Sequence, residues 1–326
     1  MKVHSDIANL PAFRNAVITI GTFDGVHAGH QKIISQLTSE AKNCGGESVI
    51  VTFHPHPRMV LTASPESVKL ITTIEERIFL LGKLGLDHLV IVPFDLAFSK
   101  LSASEYVEDF LVRHFRPHTL IIGFDHRFGQ GRSGDFHMLE DYASRGKFKL
   151  IEISQHIIHE LKVSSTRIRE EIAGGKIEEA NELLGYSYFF DGSVVKGDQL
   201  GRQIGYPTAN IRLSEPGKLL PGNGVYAVYA GLKNADPSQA PVTLFEGMMN
   251  IGSRPTVGGL QKTTEVNLFD FDLNIYDQRL QVYVESRLRD EKKFAGLAEL
   301  KEQLAEDAKI SRSTLCLQSG PHQFHR

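Results

Sequence analysis

Four short, unbroken apolar runs, at residues 17–20, 48–53, 88–92 and 119–123, alternate with stretches of helical period in the first half of this sequence. A strand with one solvent face alternates polar and apolar residues. An unbroken run therefore implies burial on both faces, the condition of a parallel sheet covered by helices. The intervening stretches, 31–42, 74–84 and 105–114, read as helices, and Ile33, Ile34 and Leu37 share one helical face. Repeated strand–helix–strand units specify a doubly wound parallel sheet, with ligands expected at the carboxyl ends of its strands.

The pattern changes near Val163. Helices over 167–173 and 177–184, the second ending at Gly185, lead into Gly-punctuated strands at 188–195, 224–231, 242–251, 264–271 and 280–288, followed by a helix over 297–308. That series reads as a small antiparallel β-barrel with a terminal helix. A chain of 326 residues is expected to form two domains, and the boundary is placed near Gly185, giving 1–185 and 186–326. Histidine divides the chain in the same way: 12 of the 14 lie at or before His159, and the others are His322 and His325. Any general base in the second module must then be a carboxylate, Lys, Tyr or Cys316.

A net charge of -3 provides no basic field for a long nucleic acid. No run of 18 apolar residues is present and residues 1–10 lack a signal-peptide core, so neither a membrane span nor secretion is expected. Two cysteines, Cys44 and Cys316, are too few for a disulfide framework or a four-cysteine zinc site. The cytosol is the expected compartment, with no obligate protein partner.

The strongest local signal is Gly21-Thr22-Phe23-Asp24-Gly25-Val26-His27-Ala28-Gly29-His30, directly after the first strand. Glycines allow a tight turn, and the next helix offers free N–H groups to an anion. His27 and His30, three apart, fall on one side of its mouth, where two imidazoles can stabilise charge developing on an α-phosphate. Alternatives are a pair of helix caps, or a two-histidine metal site lacking an evident third ligand. Ser164-Ser165-Thr166 with Arg169 supplies hydroxyls, N–H groups and a cation at another helix start, a set suited to a triphosphate. His54-Pro55-His56-Pro57-Arg58 sits at the second strand's end, as a ligand loop or as a stiffened turn. Residues 129–134 match G-x-G-x-x-G, but no strand immediately precedes them, so a dinucleotide fingerprint is rejected. Residues 258–263 lack the Gly before Lys that a Walker A motif needs.

Residues 21–30 together with Val163-Ser164-Ser165-Thr166-Arg167-Ile168-Arg169 resemble the H-x-G-H and serine–threonine–arginine motifs of the adenylyltransferase superfamily. The F-D-G form, with Gly123-Phe124-Asp125-His126-Arg127-Phe128-Gly129, resembles its bacterial flavin branch. Gly201-Arg202-Gln203-Ile204-Gly205-Tyr206-Pro207-Thr208-Ala209-Asn210 and Asn250-Ile251-Gly252-Ser253-Arg254-Pro255-Thr256 resemble the riboflavin kinase signature. Residues 10–308 are thus similar to the bacterial bifunctional riboflavin kinase/FAD synthetase family. The resemblance implies that 1–185 is an FMN adenylyltransferase of nucleotidyltransferase fold and 186–326 a riboflavin kinase, with ATP, riboflavin, FMN and FAD as ligands and Mg²⁺ as cofactor. It implies nucleotide contacts at Gly21, Phe23, Gly29, Ser164, Ser165, Thr166 and Arg169, and flavin contacts at Asp125 and Phe128. His126 departs from the family pattern, which has a hydrophobic aromatic residue there.

In the second module, Thr208 and Asn210 are two apart, so in an extended segment they share a face, and their hard oxygens suit Mg²⁺. Glu265 is the candidate base for a primary hydroxyl attacking a γ-phosphate, and it falls on the family's catalytic glutamate; by chemistry alone Asp270 and Asp272 are rivals. Arg289 is assigned to nucleotide or flavin, a plain surface arginine being the alternative.

Overall fold

The structure, a computed structural model, describes residues 1–64, 68–123, 126–153, 163–197, 200–234, 239–256, 259–316 and 321. The chain divides into two compact units, Met1–Val68 with Ile74–Ser164, and Lys69–Thr73 with Ser165–Arg326.

In the first unit, strands β1 (Lys2–His4), β2 (Val17–Ile20), β3 (Ser48–His54), β4 (His88–Pro93), β5 (Thr119–Gly123) and β6 (Lys149–Ile153) form one sheet in the order β1-β4-β3-β2-β5-β6. Every pairing is parallel. The four expected strands are its centre, and β2 is buried throughout. The strands missed by the sequence reading, β1 and β6, are the two edges, where one flank is unpaired and polar residues are tolerated. The chain leaves β2 toward β3 on one side and returns on the other side at β5, so the switch point lies at the carboxyl end of β2. Helix α1 (Ala28–Asn43) starts there. The expected helix over 105–114 runs as Ala103–Glu105, a π-helical stretch Tyr106–Val112, and Arg113–Phe115; Tyr106, Val107, Phe110 and Leu111 join the core.

The second unit is a closed antiparallel barrel of β7 (Tyr188–Val195), β8 (Ala209–Leu213), β9 (Gly224–Leu232), β10 (Phe245–Thr256), β11 (Gly259–Leu268) and β12 (Arg279–Arg289), in the order β10-β11-β8-β7-β12-β9. Tyr226, Met249, Ile251 and Val266, all fully buried, share the apolar face that fills it. The terminal helix, Leu297–Cys316, extends past the expected residue 308; the Ser311 hydroxyl donates to the Gly247 carbonyl and the Tyr229 hydroxyl to that of Leu315.

Packing divides the chain at Ser164/Ser165, upstream of Gly185. Helices Ser165–Ala173 and Ile177–Leu184 belong with the barrel: Asn181 donates to the Val284 carbonyl and accepts from the Tyr188 N–H. Beneath them a bulge between Val284 and Ser286 turns Glu285 inward, 2% exposed. The Ser187 hydroxyl donates to its Oε2 at 2.9 Å, while Oε1 is buried without a hydrogen-bond partner among the described residues. Burial pushes this carboxyl up to about 7, against the smaller opposing effect of Ser187. The folded chain thus keeps this proton to a higher pH than the unfolded chain does, so its stabilising effect is fullest below the ordinary glutamate range and is lost as pH rises toward 7. Glu285→Gln, a permanently neutral mimic, is expected to match the parent near pH 4 and to exceed it by up to roughly 3 kcal/mol at pH 8. Urea titrations at the two pH values test this; equal effects at both would contradict it.

Candidate active sites

The loop between β2 and α1 is built under strain. Phe23 and Val26 adopt left-handed conformations, φ 48° and 38°, each costing of order 1–3 kcal/mol for a non-glycine residue. The Gln31 side-chain amide donates to the Val26 carbonyl at 2.9 Å and fastens the loop to the helix. Beneath it, the Arg77 guanidinium donates to the Thr52 hydroxyl, which donates to the Thr22 carbonyl. The Phe23 ring lies over Gly21, and a Cβ on Gly21 would meet it at 3.1 Å.

His27 caps α1, its Nδ1 accepting the His30 N–H at 3.3 Å. That bond assigns the neutral ring its Nε2–H tautomer, a donor that an anion can use without prior protonation. The His27 and His30 rings stack with centroids 3.7 Å apart and planes 14° from parallel. Between them Gly29 leaves the His27 ring room, since a Cβ there would press on it at 3.3 Å. Burial holds the His30 imidazole well below the usual histidine range, with the His27 ring and the Arg77 cation adding to the effect. Its Nδ1 is buried without a partner among the described residues. Two stacked imidazoles at a helix N-terminus form an arrangement that can accept an anion.

Other expected residues of this module fall as follows. Asp125 lies outside the described residues. Phe128 is 5% exposed, and its ring stacks on that of Tyr106 with centroids 5.0 Å apart. His126 stacks on Phe128 at 5.9 Å. The G-x-G-x-x-G stretch is a loop closed by paired backbone bonds between Phe128 and Gly134, as its rejection as a fingerprint required. His56 caps the short helix Pro57–Leu61 by accepting from the Arg58 N–H at 3.1 Å, the stiffened-turn alternative for that motif. Ser165, Thr166 and Arg169 stand at the start of a helix of the second unit, where Arg169 Nε donates to the Lys69 carbonyl at 2.9 Å, and Ser164 ends the first unit.

In the barrel, register assembles what spacing alone cannot. Glu265 on β11 lies directly opposite Asn210 on β8 and Asn250 on β10, and Asn250 lies opposite Val225, itself opposite Arg289. Directly opposed residues of antiparallel strands share a face with Cβ atoms about 4.5–5.5 Å apart. One row thus runs Asn210–Glu265–Asn250–Val225–Arg289, and Asn250 is a member that sequence reasoning did not single out by role. The strands' other face, with Val194, Ala209, Val266 and Leu268, lines a cavity of about 390 Å³ together with Arg202, Thr208 and residues 271–276. Thr208 lines the cavity, and Asn210 stands in the Glu265 row.

Arg289 is in the row, but its guanidinium makes paired bonds of 2.8 and 2.6 Å to Asp307, 1% exposed, on the terminal helix. A buried carboxylate left without that partner would be strongly destabilising, so the pair anchors the barrel to the helix. Asp270 pairs with Arg312 at 2.9 Å, and that hydrogen bond, with the cation's charge, lowers the carboxyl below its ordinary range. Asp272 lines the cavity, on the side away from Glu265.

Comparison with known proteins covers both halves. Residues 10–167 match the family model for FAD synthetase and 184–315 that for riboflavin kinase. A bifunctional riboflavin kinase/FMN adenylyltransferase of Escherichia coli K12 is 36% identical over 315 residues, 96% of this chain and 97% of its own. The protein of that description in Listeria monocytogenes is 37% identical over 92% of each chain. A solved structure described as the macrolide-efflux protein of Streptococcus pneumoniae superposes with TM-score 0.82 and 29% identity, covering 95% of this chain and 98% of that one. Among the described residues of this chain, no helix is long and apolar enough to cross a membrane.

Proposed function

This chain belongs to the family of bifunctional riboflavin kinase/FMN adenylyltransferases, and from that premise we propose which of its residues carry each transfer. The two activities are those of transferases: ATP and riboflavin give FMN and ADP in the C-terminal module, then ATP and FMN give FAD and diphosphate in the N-terminal one. We assign them to 186–326 and 1–185.

Glu265 is the general base of the kinase step. Its carboxylate takes the proton of the terminal ribityl hydroxyl as that oxygen attacks the γ-phosphorus, and ADP leaves. The observation that carries this reading is the Asn210–Glu265–Asn250 row, which sets one carboxylate among amides on an outward face. The cavity behind it has a volume suited to a purine and is walled by apolar Val194, Val266 and Leu268 together with polar Arg202, Thr208 and Asp272. Asn210 fits a cation-binding role in one respect: Gly197 leaves the space its amide fills, since a Cβ there would approach within 2.2 Å. Thr208 and Asn210 supply hard oxygens of the kind Mg²⁺ takes alongside nucleotide phosphates and water. When bound, Mg²⁺ neutralises charge on the phosphates.

In the other module the Nε2–H of His27, the His30 ring and the first N–H groups of α1 hold the α-phosphate while an FMN phosphate oxygen attacks it and diphosphate leaves. Ser164, Ser165, Thr166 and Arg169 are assigned to the remaining phosphates, and Asp125 and Phe128 to the flavin. The unpaired thiols of Cys44 and Cys316 fit a reducing compartment, and we place the reactions in the cytoplasm. Incubating the protein with riboflavin and Mg-ATP and separating the flavins by chromatography tests this reading. FMN and then FAD are expected; FMN that never proceeds to FAD would contradict the assignment of the N-terminal site.

A further inference from the structure

The loop after β12 brings a second carboxylate to the face that carries Glu265. Gly252 lies two residues beyond Asn250 on β10, hence on the same face. An ideal Cβ on Gly252 would lie 2.4 Å from Glu291 Oε1 and 3.4 Å from the Asn250 amide nitrogen, so the exposed Glu291 carboxylate rests against the bare backbone there. The Asn223 side chain holds it in place, donating to Glu291 Oε2 at 2.9 Å and to the Ser253 hydroxyl at 3.0 Å. Arg289, locked to Asp307, fixes the root of the same loop. Glu291 Oε1 has no hydrogen-bond partner among the described residues. A carboxylate accepts only, and takes its strongest bonds from O–H and N–H donors.

We propose that Glu291 is a specificity-determining residue for the phosphoryl acceptor: Oε1 accepts a hydrogen bond from a secondary hydroxyl of the ribityl chain while Glu265 receives the proton of the terminal one. The proposal rests on the reading of Glu265 as the base. The two carboxylates are offset by two residues along the strand, about 7 Å at ~3.4 Å per residue, a span on the scale of a polyol chain. A site that makes such a bond discriminates against an acceptor lacking the hydroxyl, because the carboxylate then loses water without gaining a partner.

The test pairs residue and substrate. Full-length protein with Glu291→Gln is assayed for phosphorylation of riboflavin and of a flavin whose ribityl is replaced by an unbranched hydroxypentyl chain, which keeps the terminal hydroxyl alone. The KM for riboflavin is expected to rise about tenfold or more, from loss of a charged hydrogen bond, with kcat changed little. The KM for the hydroxypentyl flavin is expected to stay the same, and Glu291→Asp to recover part of the riboflavin affinity. A general disturbance of the fold would raise both KM values together, and that result, or an unchanged riboflavin KM, overturns the proposal. Glu265→Gln is run alongside. If it loses turnover while Glu291→Gln is indistinguishable from the parent, the specificity role fails alone; if Glu265→Gln keeps its turnover, the underlying reading fails and takes this proposal with it.

Discussion

Glu265→Gln is expected to lower kcat for FMN formation by roughly 10²–10⁴-fold while leaving FAD synthesis from supplied FMN intact. Glutamine preserves the side chain's size and much of its hydrogen bonding, but it accepts no proton at neutral pH. The loss should therefore appear in turnover rather than in binding of riboflavin or Mg-ATP, measured by initial rates with each substrate varied. Asp270→Asn serves as the comparison. The Asp270 carboxylate is tied to Arg312 and lies off the Asn210–Glu265–Asn250 row, so its removal should leave FMN formation near the parent rate. The reverse outcome, an active Glu265→Gln and an inactive Asp270→Asn, would mean that the base is the other carboxylate.

His30→Ala is expected to do the opposite. Removing one of two stacked rings at the start of α1 should cut adenylyl transfer to FMN by about 10²–10³-fold, the usual cost of one donor to a developing oxyanion. Riboflavin phosphorylation should continue at the parent rate, because no residue assigned to that step lies in the first unit. Parallel assays with riboflavin and with FMN separate the two effects. Equal loss of both activities in a folded protein would contradict the assignment.

How much of this was legible in the sequence depended on whether the determining contacts were local. The central strands of the first unit show themselves because burial on both faces removes polar residues, whereas Lys2–His4 and Lys149–Ile153 keep lysine, histidine and glutamate and so lack the signal. His27, Gly29 and His30 were readable as a set because three or four residues of helix bring them together. Glu265 was readable as a candidate, but not its setting. The row across β8, β11 and β10 depends on register between segments some 15–55 residues apart, which spacing does not encode.

The contacts that spacing does not show have the same origin. The pairing of Arg289 is one, because Asp307, 18 residues downstream on another element, is silent in a local reading. The packing of Phe128 is equally hidden, because Tyr106, its stacking partner, lies on a distant helix. The boundary near Gly185 followed from the change of pattern at Tyr188, but the two preceding helices pack by Asn181 onto β12 and travel with the barrel. Glu285 gave no warning at all, since a bulge rather than the strand's alternation turns it inward.

The central claim is that two chemically independent sites, one resting on Glu265 and the other on His27 and His30, work in sequence on a flavin released between them. Mixing the Glu265→Gln and His30→Ala proteins and supplying riboflavin with Mg-ATP tests it directly. Each variant alone should make little FAD, one for lack of FMN and the other for lack of adenylyl transfer. Together they should restore FAD formation after a lag while FMN accumulates in solution. A mixture that makes no more FAD than the two proteins assayed apart would contradict the claim.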